Sequence, residues 1–208
     1  MMSINYIIAA EVVDARQDCP SSSDTFLIDS NVWYWLTYTK ASLVQGYHAK
    51  RRTADYSAFL NKAIAGRARL CRCGLSLAEL AHLIEKSERE IFEKTHGKIY
   101  SKEFRHNYLQ ERATVVSEVA AAWGQVKSMA IPLNLLLNDG VTDGALSRFI
   151  KDALDGYDLF FLEAMIKNKV PQFVTDDGGF ATVAGIRVFT ANQNVIIAAQ
   201  SQGKLLTR

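Results

Sequence analysis

Four carboxylates stand where this chain could do chemistry: Asp29, Glu79, Asp158 and Asp177. Asp29 follows the apolar run Phe26-Leu27-Ile28 and precedes Val32, Trp35, Leu36 and Thr39, which recur at the i, i+3, i+4, i+7 spacing of a helix. It therefore lies where a short buried strand gives way to a helix, with Ser30 or Asn31 available as N-cap. Glu79 falls in the first turn of a helix marked by Leu77, Leu80, Ala81 and Ile84, and Asp158 in the first turn of YDLFFLEAMIKN. Asp177 comes just after the strand-like run PQFVT, and its neighbour Asp176 leaves the choice between the two acids open. Two strand-end acids and two helix-first-turn acids can converge on one rim of a parallel sheet, because helices begin there where strands finish and ligands gather outside the carboxyl ends of strands. Each acid also has an ordinary structural role. Asp29 can cap a turn, Glu79 can complete a capping box with Ser76, Asp158 can sit at the positive end of a helix capped by Asp155, and Asp177 belongs to a Gly-rich turn.

Carboxylates about 4 Å apart repel by roughly 4 kcal/mol per pair at an effective dielectric near 20, so four of them do not stay ionised together unaided. Divalent cations remove that conflict. A donor set of oxygens with no His or Cys suits Mg²⁺ or Mn²⁺, which keep waters of their own. In a two-metal arrangement one ion activates water and the other stabilises the leaving 3′-oxygen of a phosphodiester. Other chemistries lack their signatures: there is no G-x-G-x-x-G, no Walker loop and no H-E-x-x-H. A haloacid-dehalogenase-type phosphotransferase wants D-x-D after its first strand, where this chain has Asn31. His48, His82, His96 and His106 show no ligand spacing and read as surface or helix-face residues. Cys19 stands alone, Cys71 and Cys73 form a C-x-C without a second pair, and all three read as buried or incidental thiols. Trp33 and Trp35 read as core.

The elements that must position these acids follow from periodicity and turn residues. The segment INYIIAAEVV near the start fits an edge strand or a short helix, and CPSSSD, residues 19–24, is a loop. Tyr56, Phe59, Leu60, Ala63 and Ile64 predict a helix over 53–68, followed by a short strand over 70–75. From Glu85 to about Met129 the pattern is helical and highly charged, with Glu85/Arg89 and Glu90/Lys94 at i, i+4 and a break near Gly97, which predicts two long solvated helices. Strands are expected over 131–137, 171–175 and 187–190, and helices over 144–154, 157–168 and 194–200. Strands alternating with helices predict an α/β fold with a parallel sheet covered on both faces. The 208 residues, 49% of them hydrophobic, fit one domain. Its core is expected at about 26–84 and 131–200, with a charged helical insertion at about 85–130 and an N-terminal tail at 1–25. No apolar run approaches the roughly 20 residues of a membrane span, and the N-terminus lacks the basic region of a signal peptide, so a cytoplasmic protein with no membrane partner is expected.

Net charge is only +2, yet it is unevenly spread. Lys50, Arg51, Arg52, Lys62, Arg67, Arg69 and Arg72 face the single acid Asp55 in one stretch, giving +6 there and −4 elsewhere. Such a segment, with Arg51, Arg52, Arg67 and Arg69 as its RNA-binding candidates, can hold a polyanion through phosphate contacts; as an ordinary solvated helix face it needs no ligand.

Taken in order, FLIDSN, SLAEL, GYDLFFLEA and FVTDDGGF resemble the motif series of the PIN domain family, metal-dependent ribonucleases that include many bacterial toxins of toxin–antitoxin pairs. The resemblance spans about Phe26 to Ile196. It implies a three-layer, Rossmann-like α/β/α sandwich that cleaves RNA with Mg²⁺ or Mn²⁺. It also implies that Asp29, Glu79, Asp158 and Asp177 are the catalytic ligands, with Asn31 after the first acid and Thr175 two before the last. Ser76 and Asp176 stand beside that set. A toxin role would add an antitoxin protein as partner, and a homo-oligomer is compatible with the sequence. The gap between Glu79 and Asp158 is longer than in compact toxin members, and a non-catalytic RNA- or protein-binding module on the same fold is the alternative. Side chains alternate along PQFVTDD, so Asp177 is expected to take the metal role and Asp176 to point the other way, more exposed or holding a supporting contact.

Overall fold

The computed structural model describes residues 4–44 and 47–208, leaving aside the side chains of residues 44–50, among them His48 and Lys50. Seven parallel strands form one sheet: β1 (Glu11–Asp14), β2 (Thr25–Ile28), β3 (Arg69–Cys73), β4 (Ile131–Leu133), β5 (Gln172–Val174), β6 (Arg187–Thr190) and β7 (Leu205–Leu206), in the order β4-β3-β2-β5-β6-β1-β7. Between them run helices α1 (Ser30–Thr37), α2 (Ala41–Val44), α3 (Tyr47–Ala65), α4 (Leu75–His96), α5 (Ser101–Asn107), α6 (Leu109–Met129), α7 (Asp139–Phe149), α8 (Gly156–Asn168) and α9 (Gln193–Ser201).

Because both faces are covered, the central strands are apolar at successive positions, and their alternation sorts them into two cores. Phe26, Ile28, Val174 and Phe189 pack with α1, α3, α4 and α6, whereas Leu27, Phe173 and Val188 pack with α7 and α8. Helix α9 closes the second face over Val12 through Val195 and Ala199. The result is the expected three-layer α/β/α sandwich. Trp33 and Trp35 are buried in the first core, as expected, and so are Cys71 and Cys73 in the second, while Cys19 is exposed.

Several local expectations are corrected. The segment read as an N-terminal tail supplies β1, an interior strand paired with both β6 and β7. Its four residues are too few to display a period, and its place is set by partners about 180 residues away in sequence. Helix α4 begins at Leu75, so Ser76 lies inside the first turn, and the capping box with Glu79 is not formed. Ser76 Oγ instead accepts from the backbone N–H of Cys73 at 3.3 Å, tying the helix to the strand before it. Strand β4 is only three residues long, and α7 starts at Asp139 because Asn138 caps it, accepting from Val141 N–H. The charged stretch is not a separate arm. Ala122 and Val126 of α6 lie in the first core beside Trp33 and Tyr34, and only Ile99, Phe104 and Val115 form an outlying cluster of their own. Glu85 pairs with Arg105 and Arg112 rather than Arg89, which pairs with Glu93.

Candidate active site at the carboxyl ends of β2 and β5

Strands β2 and β5 are neighbours in the sheet although α1 to α8 separate them in sequence. The helices after β2 and β3 cover one face and those before β5 the other, so the crevice between β2 and β5 is the topological switch point where α/β sheets bind ligands. Asp29 is the residue that leaves β2 there. Its backbone N–H donates to Val174 O on β5 at 3.0 Å, and the residue itself is the N-cap of α1, with Oδ1 accepting from Asn31 N–H at 3.3 Å. The N-cap expected at Ser30 or Asn31 is thus Asp29, which adopts the extended backbone a cap requires. Thr175 Oγ1 donates to Asp29 Oδ2 at 2.6 Å and accepts from Asp177 N–H at 2.9 Å, so one hydroxyl couples the ends of both strands.

Burial pushes the Asp29 carboxyl up to about 7, against the hydrogen bond from Thr175 and aided by the charges of Glu79 and Asp177. Asp158, in the first turn of α8, is raised to about 8 by burial and then by Asp29, Asp155, Asp177 and Glu79. Glu79, in the first turns of α4, is raised by burial and by Asp155 and Asp177. Its Oε2 and the hydroxyl of Ser30 are both buried without a hydrogen bond of normal geometry, although Ser30 lies near enough to ease the charge on Glu79. The fold therefore brings Asp29, Glu79, Asp158 and Asp177 to one rim. None of the four is paired with a Lys or Arg among the described residues. Asp155 joins them electrostatically while capping α8 through Tyr157 and Asp158 N–H. Among the described residues, no three His, Cys, Asp or Glu side chains converge closely enough, as they stand, to form a metal-binding group.

Of the two expectations for Asp176, greater exposure or a supporting contact, the second describes it. Asp176 is the more enclosed: its Oδ1 accepts from Tyr56 Oη at 2.9 Å and its Oδ2 lies 3.3 Å from Arg52 Nε. Asp177 is exposed, its Oδ1 accepting from Gly179 N–H at 2.7 Å, and its charge is felt by Asp29, Glu79 and Asp158. The turn closes under Tyr6, whose ring would meet a Cβ at Gly178 at 2.3 Å, so a larger residue there would have to displace that ring.

The basic stretch is not one surface. Arg51 and Arg52 lie near the start of α3 on the acidic rim, where Arg52 meets Asp176. Arg67 follows the end of α3, and Arg69 opens β3 in register with Thr25, the first residue of β2, which puts both at the opposite rim. From Arg52 to its last turn α3 is roughly 20 Å long. Tyr56 was legible only as a core residue of α3, yet its buried hydroxyl binds Thr175 O at 3.0 Å, Asp176 Oδ1, Thr190 Oγ1 at 3.2 Å and Ala191 N–H at 3.0 Å. Arg16, held by Asp14 at the end of β1, is a further rim residue the sequence reading did not select. No model of a known protein family and no curated protein matches the chain.

Proposed function

We propose that this protein is a metal-dependent endoribonuclease that hydrolyses RNA phosphodiester bonds at the acidic rim, as the resemblance to PIN domain nucleases implies. One observation carries the reading: carboxyls from four separate elements are gathered at the switch point, two of them raised to about 7 and 8, and the buried Glu79 Oε2 has only the nearby Ser30 hydroxyl to ease its charge. Carboxyls gathered where burial opposes their ionisation mark a place where positive charge is wanted. The donors are oxygens alone, which fits Mg²⁺ or Mn²⁺, and Asp29, Glu79, Asp158 and Asp177 would hold the ion. Bound there, it supplies an activated water and charge neutralisation at the phosphate.

The chain's own residues do the rest. Thr175 and Asn31 N–H orient the two oxygens of Asp29, each of which keeps acceptor capacity of its own. Tyr56 fixes Asp176 and so the turn that carries Asp177. A toxin role, with an antitoxin partner and a cytoplasmic site of action, is the biological setting the resemblance suggests. A non-catalytic RNA- or protein-binding module on a PIN-like fold is the second reading, favoured by the lack of a three-residue convergent group among the described residues.

The test is Asp29→Asn, which removes charge but keeps shape. Calorimetric titration with Mn²⁺ should show saturable binding to the native protein and none to the variant. Cleavage of single-stranded RNA should fall at least about 100-fold, with an unchanged circular dichroism spectrum. Full cleavage by the variant overturns the nuclease reading, and RNA binding without Mn²⁺ uptake by the native protein moves the function to the binding module.

A further inference from the structure

We propose that a pocket beside the acidic rim, built on Arg16, Arg51 and Arg52, receives the backbone phosphate next to the scissile one on the same RNA strand; this rests on the nuclease reading. The pocket has a volume of about 350 Å³, and Asp55, Asp176 and Asn192 complete its principal lining. Its guanidiniums are drawn from two elements far apart in sequence, the end of β1 and the start of α3, and are brought together only by the fold. Two are held from behind. Arg16 donates from Nε and Nη2 to Asp14 at 2.8 and 2.7 Å and from Nη2 to Gln193 Oε1 at 3.1 Å, while Arg52 Nε lies 3.3 Å from Asp176 Oδ2.

These pairs fix the guanidiniums without exhausting them. Arg carries five N–H donors, and among the described residues Nη1 of Arg16, both Nη groups of Arg52 and the whole of Arg51 have no hydrogen-bond acceptor. The lining sets three guanidiniums against the two carboxylates of Asp55 and Asp176, a formal charge of +1, beside a rim of carboxylates. Planar forks with spare donors, set in a concave polar site, suit the geometry of a phosphate.

Position decides which phosphate. Asp176 and Asp177 are consecutive, with Cα atoms about 3.8 Å apart, and they serve different partners: the charge of Asp177 acts on Asp29, while Asp176 pairs with Arg52. A strand whose scissile phosphate lies at the carboxylates passes over this single-residue step to reach the guanidiniums, which suits an adjoining phosphate and not a remote one. Arg67 and Arg69, at the other rim, take no part.

Arg51→Ala is the cleanest probe, since Arg51 has no described partner to lose. Binding of a six-nucleotide oligouridylate would be measured in EDTA, where no divalent ion supports cleavage, over a series of salt concentrations. Arg51→Ala should weaken binding about tenfold at low salt and lower the slope of log affinity against log salt by about 0.7, the value for one single-strand phosphate contact. Arg69→Ala, on the opposite rim, should change affinity less than about twofold and leave the slope intact. Equal losses in the two variants, or none in either, overturn the pocket. Mn²⁺ calorimetry on the same proteins keeps the two readings apart. If the native protein takes up no Mn²⁺ the nuclease reading fails, while the Arg51 and Arg69 comparison still decides whether the pocket holds a phosphate.

Discussion

Tyr56 concentrates more of the site's geometry in one atom than any residue the sequence singled out. Its hydroxyl joins the carbonyl of Thr175, the carboxylate of Asp176, the hydroxyl of Thr190 and the N–H of Ala191, and so pins the ends of β5 and β6 together. Tyr56→Phe deletes one oxygen and takes a partner from four polar groups, two of them in buried bonds, which should cost about 1–3 kcal/mol in urea denaturation. Because Thr175 also orients Asp29, the same variant should weaken Mn²⁺ binding, whereas a purely structural tyrosine would lower stability and leave metal affinity unchanged. Sequence reading found Asp29 because its signal is local, an apolar strand on one side and a helical stripe on the other. It could not find the role of Tyr56, whose partners lie 119 to 135 residues away. For the Asp176-Asp177 pair, the supporting contact expected of Asp176 is present, and its partners Arg52 and Tyr56 arrive from α3 to enclose it.

At the scale of elements, long periodic segments were legible and short or charged ones were not. Helices α8 and α9 appear within a residue of their expected bounds, since each has a clear apolar pattern and a definite stop. The charged helices misled because their polar surface is wide, while the few residues that decide their position are small or weakly marked, such as Ala122 and Val126. Helix α4 likewise sends Ser87 and Glu88 inward, where Ser87 Oγ meets Tyr34 Oη at 2.6 Å and Glu88 accepts from Tyr38 Oη at 2.8 Å and Lys40 Nζ at 2.7 Å. Deleting residues 87–128 with a short linker should therefore abolish cooperative unfolding. It removes those bonds and uncovers Trp33 and Tyr34, and each large side chain so exposed costs about 1.5–3 kcal/mol against a total stability of about 5–15 kcal/mol. A smaller deletion confined to 98–108, which carries only part of the outlying cluster, should retain a cooperative transition in thermal denaturation followed by circular dichroism. A cooperative transition in the larger deletion would return α6 to the status of an added arm.

For the whole molecule, the gathered acids and the paired acids pull stability in opposite directions with pH. Asp29 and Asp158, raised mainly by burial to about 7 and 8, hold protons in the folded state that the unfolded chain releases near its ordinary value of about 3.9. Their contribution is complete below that value and is lost as pH rises through 7 and 8, by about 1.4 kcal/mol per pH unit for each carboxyl still protonated. Asp24 and Asp14 work the other way. Burial opposes their ionisation, but Arg208 holds Asp24 low and Arg16 holds Asp14 low, so the stability they add is present above about pH 4 and is lost in acid. The metal-free protein should then be most stable in the mildly acidic range, with Tm falling between pH 5 and pH 8. A cation that binds the ionised carboxylates stabilises in proportion to RT ln(1 + [L]/Kd), and its affinity grows as the competing protons leave. Adding Mn²⁺ should consequently raise Tm far more at pH 8 than at pH 5, and Asp29→Asn should flatten the decline seen in EDTA. Scanning calorimetry across this range with and without Mn²⁺ checks both effects, and a Tm in EDTA that climbs steadily from pH 5 to pH 8 would show that these acids are not held protonated in the folded protein.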